Sequence, residues 1–243
     1  MVKNVAGGGV KWIDVSPGRF PGWISSFAVR HAVPAAIPVS AQDSGEPEKS
    51  SLIAEPGGGQ VTFTAPDGAI AQCHPPFAES FGCPPDVTVA GLAAAVAAHA
   101  AVPRTVGVLL VRLGGYAAGV FAGYPPVLAD AKTGSRPVHG RSAAGGWSQH
   151  RFARRREKQA DEAVAAAAAA ALLVFGRGPR LDAVVLGGDK RAAAELRGDP
   201  RLAPYLALAT GRFITVPDPR RSVLDGVPAL FTAVRIKLSE PSA

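Results

Sequence analysis

The sequence predicts an α+β protein, a mixed sheet with packed helices and a small α+β region ahead of it. Three observations carry that prediction. Short β-branched runs and segments of helical period are mixed along the whole chain. The strands that follow Pro103 begin as a meander joined by tight Gly and Pro turns. A long Ala-rich helix then separates the meander from a further apolar run, Leu181 to Leu186.

The first region, 1–101, opens on Ser16-Pro17, a helix start with serine as cap and proline in the first turn. Phe20, Ile24, Phe27 and His31 recur at helical spacing with Trp23 beside them, a stripe that reads as core packing. Residues 32–51 are rich in Pro, Ser, Ala and Glu without periodicity, the pattern of a mobile loop. Val61 to Ala65 and Ala69 to Cys73 flank Pro66-Asp67-Gly68 and form a hairpin. Gly57 to Gly59 are the loop feeding it, and Gln60 stands at the strand entrance. Val87 to Ala101 is an Ala-rich helix.

The second region, 102–240, starts with strands at Thr105 to Arg112, Tyr116 to Ala122 and Val127 to Thr133. Gly114-Gly115 and Tyr124-Pro125-Pro126 are the turns between them. These glycines do not precede a helix, so they form no phosphate loop. A helix of roughly 25 residues, near 40 Å at about 1.5 Å each, ends at about Val174. Helices at Asp189 to Arg197 and Pro200 to Ala209, and a short strand at Phe213 to Val216, follow the Leu181 to Leu186 strand. In the last strand Val234, Ile236 and Leu238 alternate with Arg235 and Lys237.

The chain has 243 residues, a net charge of +7 and 47% hydrophobic residues. That length can bury a sizeable core, and the charge suits a polyanionic partner. Cys73 and Cys83 are the only cysteines, with no CxxC pair and no zinc spacing, so neither a metal nor a cofactor is expected. The N-terminus lacks the pattern of a signal peptide, and the run from Ala163 to Phe175 is too short to span a bilayer. The expectation is a soluble cytoplasmic protein without a membrane partner.

One stretch carries chemistry. Gly145-Gly146-Trp147-Ser148-Gln149-His150 runs directly into Arg151-Phe152-Ala153-Arg154-Arg155-Arg156-Glu157-Lys158. Arg151, Arg154, Arg155 and Lys158 fall at i, i+3, i+4 and i+7, one basic stripe on a helix. Like charges so placed repel by roughly a few tenths of a kcal/mol per pair, a cost that a bound polyanion offsets. Ser148 can cap the helix and put Gln149 in its first turn, where unpaired N–H groups and the positive helix end point outward. Gly145 and Gly146 let the backbone approach a substrate closely. Gln149 donates and accepts hydrogen bonds at once, so it can orient a water and stabilise an oxyanion. His150, next to arginines, suits phosphate contact. Gly58-Gly59-Gln60 lacks this basic context and reads as a structural loop.

The same residues carry a resemblance. Gly140-Arg141, then Gly145-Gly146-Trp147-Ser148-Gln149 and Arg151-Phe152-Ala153-Arg154, resemble the catalytic loop of eukaryotic and archaeal class I translation release factors. They resemble more closely the release-factor-like peptidyl-tRNA hydrolases of actinobacteria, relatives of the ribosome-quality-control hydrolases. The likeness continues through Leu181-Asp182-Ala183-Val184-Val185-Leu186-Gly187-Gly188 and Asp199-Pro200-Arg201-Leu202, and covers 103 to 238. In the first hundred residues it rests chiefly on Trp12 to Phe27 and on the actinobacterial group alone. In the release factors Gln follows the two glycines directly, whereas Trp147 and Ser148 intervene here. The quality-control relatives also carry a displaced Gln, which assigns the role to Gln149.

The resemblance implies release of nascent chains from peptidyl-tRNA on stalled large ribosomal subunits. It puts Gly145, Gly146, Ser148 and Gln149 at the ester, and Arg141, His150, Arg151, Arg154, Arg155 and Lys158 on RNA. The large subunit and peptidyl-tRNA are the implied partners, and DNA is not expected. Two alternatives stay open: phosphodiester cleavage near the tRNA 3′ end, and a non-catalytic ribosome- or RNA-binding module. Gly145, Gly146 and Gln149 argue against the latter.

Overall fold

The computed structural model describes residues 10–32, 52–83, 88–112, 115–135 and 148–241, with backbone alone along 148–160. The loop expected at 32–51 falls, apart from Ala32, outside these residues. The chain divides into two compact units. One takes the described residues up to Ala101 together with those from Thr232, and the other is Val102–Phe231.

The first unit opens with a strand, β1 (Lys11–Val15), that the sequence reading lacks. A 3-10 turn, Pro17–Arg19, leads into α1 (Phe20–Arg30), so the helix starts later than Ser16-Pro17 suggests. Ser16 makes no side-chain capping bond; buried Pro17 and the Arg19 N–H to Ser16 carbonyl bond (3.0 Å) hold the turn instead. Phe20, Ile24 and Phe27 are buried, and the Phe20 ring meets Phe63 edge-on at 6.5 Å.

Strand β2 (Ile53–Gly57) was also unforeseen, and it pairs with β3 (Gln60–Thr64) through a two-residue turn. Gly58 and Gly59 have φ of 56° and 76°, the left-handed pair that closes a hairpin with the right twist. Gly57 therefore belongs to a strand and faces Gln60 across the pair. After β4 (Ile70–His74), α2 (Val89–Ala100) is capped by Thr88, whose hydroxyl accepts from the Gly91 N–H at 3.1 Å.

The Pro66-Asp67-Gly68 turn links β3 to β4, and Asp67 secures it. One carboxylate oxygen accepts from the Ala69 N–H at 2.9 Å, and the other lies 2.8 Å from His31 Nδ1. The backbone donor first, then His31, holds the Asp67 carboxyl below its ordinary value. With the folded value below the unfolded one, this contribution is complete above about pH 3.9 and fades as pH falls through the folded value. An NMR titration of Asp67 should give a midpoint below about 3.9, and His31→Ala should raise it only partway because the backbone donor remains.

The second unit begins with the meander β5 (Arg104–Arg112), β6 (Gly115–Gly123) and β7 (Val127–Ser135). The expected Gly114-Gly115 turn is half outside the described residues, and Gly115 is already in β6. Then come α3 (Ser148–Arg177, 30 residues), β8 (Ala183–Gly188) and α4 (Lys190–Leu196). The stretch expected as one helix over Pro200 to Ala209 is a 3-10 turn, Pro200–Leu202, and the single turn α5 (Ala203–Leu206). Strand β9 (Ala209–Ile214) starts where that helix was to end, four residues before the expected Phe213. Two short helices, α6 (Arg221–Gly226) and α7 (Pro228–Phe231), were not foreseen.

The sheet order is β7-β6-β5-β8-β9, antiparallel along the meander and parallel from β5 to β9. On one face Leu109, Val111, Ala118 and Val120 pack with Ala167, Ala170, Ala171 and Val174 of α3. On the other, Phe121 meets Phe231 edge-on at 5.8 Å, with Leu224 of α6 close to Gly119. Burial on both faces explains why Val106 to Val111 is an unbroken apolar run and does not alternate.

The chain then returns to the first unit as β10 (Val234–Ser239). It inserts between β1 and β4 and completes an antiparallel sheet of order β1-β10-β4-β3-β2. The sequence reading grouped this strand with 102–240; its hydrogen bonds are made in the other sheet. Val234, Ile236 and Leu238 point into a core shared with α1 and α2, and Arg235 and Lys237 point to the other face.

Candidate functional site

The candidate site is the segment between β7 and α3, and described residues on both sides locate its ends. Arg112, Gly115 and Ser135 form one cross-strand row, so β5 and β7 end at the same edge of the sheet. β8 ends there too, with Gly188 beside Val111. Gly188 has φ of 101°, and a Cβ there would strike the Val111 carbonyl oxygen. That glycine lets the strand turn directly into α4, where Asp189 accepts from the Arg191 and Ala192 N–H groups at 2.9 and 3.1 Å. Its own N–H donates to Val111 O at 2.8 Å. The sequence reading missed Arg112 as a member of this edge. Its guanidinium donates to Val216 O at 2.8 Å and lies 3.9 Å from Asp218, tying the end of β5 to the segment after β9. The signal was present: Arg112 is the one charged residue ending an apolar strand.

From this edge the chain leaves β7 at Ser135 and re-enters the described residues at Ser148, the first residue of α3. Helix α3 carries it back to the amino end of β5, where Thr105 N–H and the Asp182 carboxylate meet at 2.7 Å. At about 1.5 Å per residue α3 is about 45 Å long, against about 30 Å for β5. From Ala163 to Phe175 α3 buries a stripe of small and apolar residues against the sheet.

Of the expected site residues, Arg141, Gly145 and Gly146 fall outside the described residues. Ser148, Gln149, His150, Arg151, Arg154, Arg155 and Lys158 belong to the α3 backbone. Their positions around the helix follow from its period, since 18 residues make about five whole turns. Position 149 is in phase with Ala167, which is fully buried against the sheet. Position 151 is in phase with Ala169 and position 158 with Gly176, both exposed. Positions 154 and 155 are in phase with Leu172 and Leu173, both half-buried, so the cationic positions run from the exposed side of the helix to its flanks, while position 149 shares the phase of the packed stripe.

A groove of about 500 Å³ also borders α3, lined by Asp161, Ala165, Ala168, Glu195, Asp199 and Arg201. Its acids are largely engaged. Glu195 accepts from Arg191 at 3.1 Å, and Asp199 forms a two-point pair with Arg201 at 2.7 and 3.0 Å, which holds the Asp199 carboxyl below its usual range. Acidic walls make this groove unsuited to a phosphate backbone. Cys73 is buried and Cys83 half-buried, and neither is in a disulfide; burial pushes the Cys73 thiol up, so it stays an unreactive core side chain. Among the described residues no helix is long and apolar enough to cross a membrane.

Comparison with curated protein sequences finds no match. Among solved structures the chain is similar to the archaeal translation termination factor aRF1, at 14% identity and a TM-score of 0.37 over 93% of this chain and 68% of that one. It is also similar to a structure described only as an archaeal protein, at 14% identity and a TM-score of 0.31 over 94% and 68% of the two chains. Residues 104–237 match the Actinobacteria/chloroflexi VLRF1 release factor family, a span that takes in every strand and helix of the second unit and most of β10. Because that match covers more than half of the 243 residues, the chain belongs to the Actinobacteria/chloroflexi VLRF1 release factor family and is by that membership a translation factor.

Proposed function

We propose that this protein is a cytoplasmic peptidyl-tRNA hydrolase that frees nascent chains on stalled large ribosomal subunits. The observation that supports it most is the phase of α3. One uninterrupted helix starts with Gln149 in its first turn and carries Arg151 and Lys158 in phase with exposed positions, with Arg154 and Arg155 between them on the helix surface. Such a helix can hold RNA along one side while its N-terminal end meets the end of the tRNA.

In this reading the Gln149 carboxamide accepts from a water and aims it at the ester carbonyl carbon. The water oxygen forms the new bond, and the bond to the terminal ribose oxygen breaks. The ribose oxygen takes up a proton through water or the neighbouring ribose hydroxyl. The developing oxyanion is met by the Gln149 N–H₂ group and by the first N–H groups of α3, where the positive helix end lies. Gly145 and Gly146 leave room for the acceptor end of the tRNA beside the backbone, and Ser148 starts the helix that carries Gln149. Arg141 and His150 meet phosphates near the reacting end.

The test is incubation of the protein with purified large subunits that carry labelled peptidyl-tRNA, followed by analysis of peptide and tRNA. Free peptide and a tRNA with an intact terminal adenosine support ester hydrolysis. A shortened tRNA end would replace that reading with phosphodiester cleavage, and binding without product would leave a non-catalytic module.

The basic stripe has its own test. Neutralising Arg154 and Arg155 together should weaken binding to the large subunit and flatten its salt dependence. Each lost phosphate contact should lower the slope of log K against log salt by about 0.7–0.9. Co-sedimentation across a salt series measures it, and an unchanged slope would make the stripe only a solvated face.

A further inference from the structure

We propose that the outer face of the first unit's antiparallel sheet binds single-stranded RNA, with Trp12 as a stacking platform for a base and Arg235 and Lys237 as partners for the adjoining phosphates. The site belongs to the first unit and does not rest on the reaction assigned to Gln149.

The sheet has two unlike faces. One is the core, built from Val61, Phe63, Ala71, Cys73 and the inward residues of β10. The register assembles the other. Trp12 stands opposite Lys237, Asp14 opposite Arg235, Arg235 opposite His74, and Lys237 opposite Gln72. The Arg235 guanidinium carbon lies 4.7 Å from the centroid of the Trp12 ring, and the His74 ring lies 5.6 Å from it, tilted by 38°. The Arg235 Nε is buried and has no hydrogen-bond acceptor. The guanidinium lies over the indole face, a cation–π contact that orients Trp12 before any ligand arrives.

Trp12 is nonetheless 48% exposed. A large indole, stacked on a cation and left half open, is not explained by the core, which lies on the other side of the sheet. An exposed aromatic face beside cations is the arrangement that holds a nucleobase and its phosphate together. Arg235 and Lys237 flank the indole from the neighbouring strand, with Asp14 as the local carboxylate. Gln72 and Thr62, paired across β4 and β3, continue the face with neutral donors and acceptors suited to base edges. Chain and ligand also match in charge overall, since the protein carries +7. The rings and cations lie on paired strands and are rigidly spaced, which favours a flexible single strand that can splay its bases over a stacked duplex that cannot.

The experiment uses the full chain with Arg154→Gln and Arg155→Gln, so that α3 does not mask a second site. The probe is a fluorescein-labelled single-stranded RNA of about 12 nucleotides, followed by anisotropy, with a duplex RNA of the same length as the second arm. The expected result is binding to the single strand that weakens about tenfold or more in Trp12→Ala and is largely kept in Trp12→Phe. Lys237→Gln should lower the salt slope by about 0.7. RNA should also quench tryptophan fluorescence in the parent, and the Trp12→Phe protein should lose most of that quenching, a readout that a purely structural Trp12 would not move. Equal binding of duplex and single strand, or an affinity of Trp12→Ala within about twofold of the parent, would overturn the proposal. Neither result touches the assignment of Gln149, which is read from peptide release.

Discussion

Gln149→Ala is expected to release peptide about 10²–10³ times more slowly than the wild type while binding large subunits equally well. The side chain is assigned to orienting the attacking water and meeting the oxyanion, contacts that strengthen in the transition state. Its loss should therefore appear in the rate and not in affinity. Removing one such contact typically costs about 3–4 kcal/mol of transition-state stabilisation. Gly146→Ala should follow the same pattern by crowding the backbone approach. Single-turnover release from large-subunit complexes gives the rate, and co-sedimentation run in parallel gives the binding. A wild-type rate for Gln149→Ala would overturn the catalytic assignment, and loss of binding would make the residue a contact. Gln60→Ala is the control. Gln60 ends a tight glycine hairpin, paired with Gly57 in the other unit, and its loss should leave release unchanged.

Phe121→Ala should produce the largest loss of stability. Phe121 is 2% exposed on β6 and packs edge-on against Phe231, on the sheet face that α6 and α7 close. Cutting it to Ala removes the transfer energy of the ring and leaves a cavity between a strand and a short helix. Such changes cost about 3–5 kcal/mol. Native-state hydrogen exchange reads this within one unit. If the slowest β5 and β6 amides exchange through opening of the whole unit, their protection should fall by about 10² or more. Phe121→Leu retains most of the volume and should lose far less. An Ala variant with wild-type protection would mean that this face of the sheet contributes little to the unit.

The segments that the sequence identified correctly are those whose signal is local. The hairpin about Pro66-Asp67-Gly68 needs only its turn and two alternating flanks. The α1 stripe of Phe20, Ile24 and Phe27 and the long α3 are visible from period alone. The missed elements are those whose partners are remote. Lys11–Val15 is a strand because β10, more than two hundred residues later, gives its amides something to pair with. Ile53–Gly57 contains Pro56, a residue that argues against a strand and is tolerated because β2 is at the sheet edge. Pro200 to Ala209 has the composition of a helix, but the Leu208 carbonyl accepts from the Val184 N–H and draws the chain into the sheet as β9.

The same division runs through the site. The sequence by itself determined that Arg151, Arg154, Arg155 and Lys158 share one side of a helix and that Gln149 begins it, since the helical period fixes both. It could not say which side of that helix is free. Only the packing of Ala167, Ala171 and Val174 on β5 and β6 sets the phase, and it puts positions 151 and 158 in step with exposed residues of the same helix. The surface around Trp12 was beyond the sequence for the same reason. Trp12 and Arg235 are brought within 4.7 Å of one another by strand register alone, and register is decided by which faces must be buried.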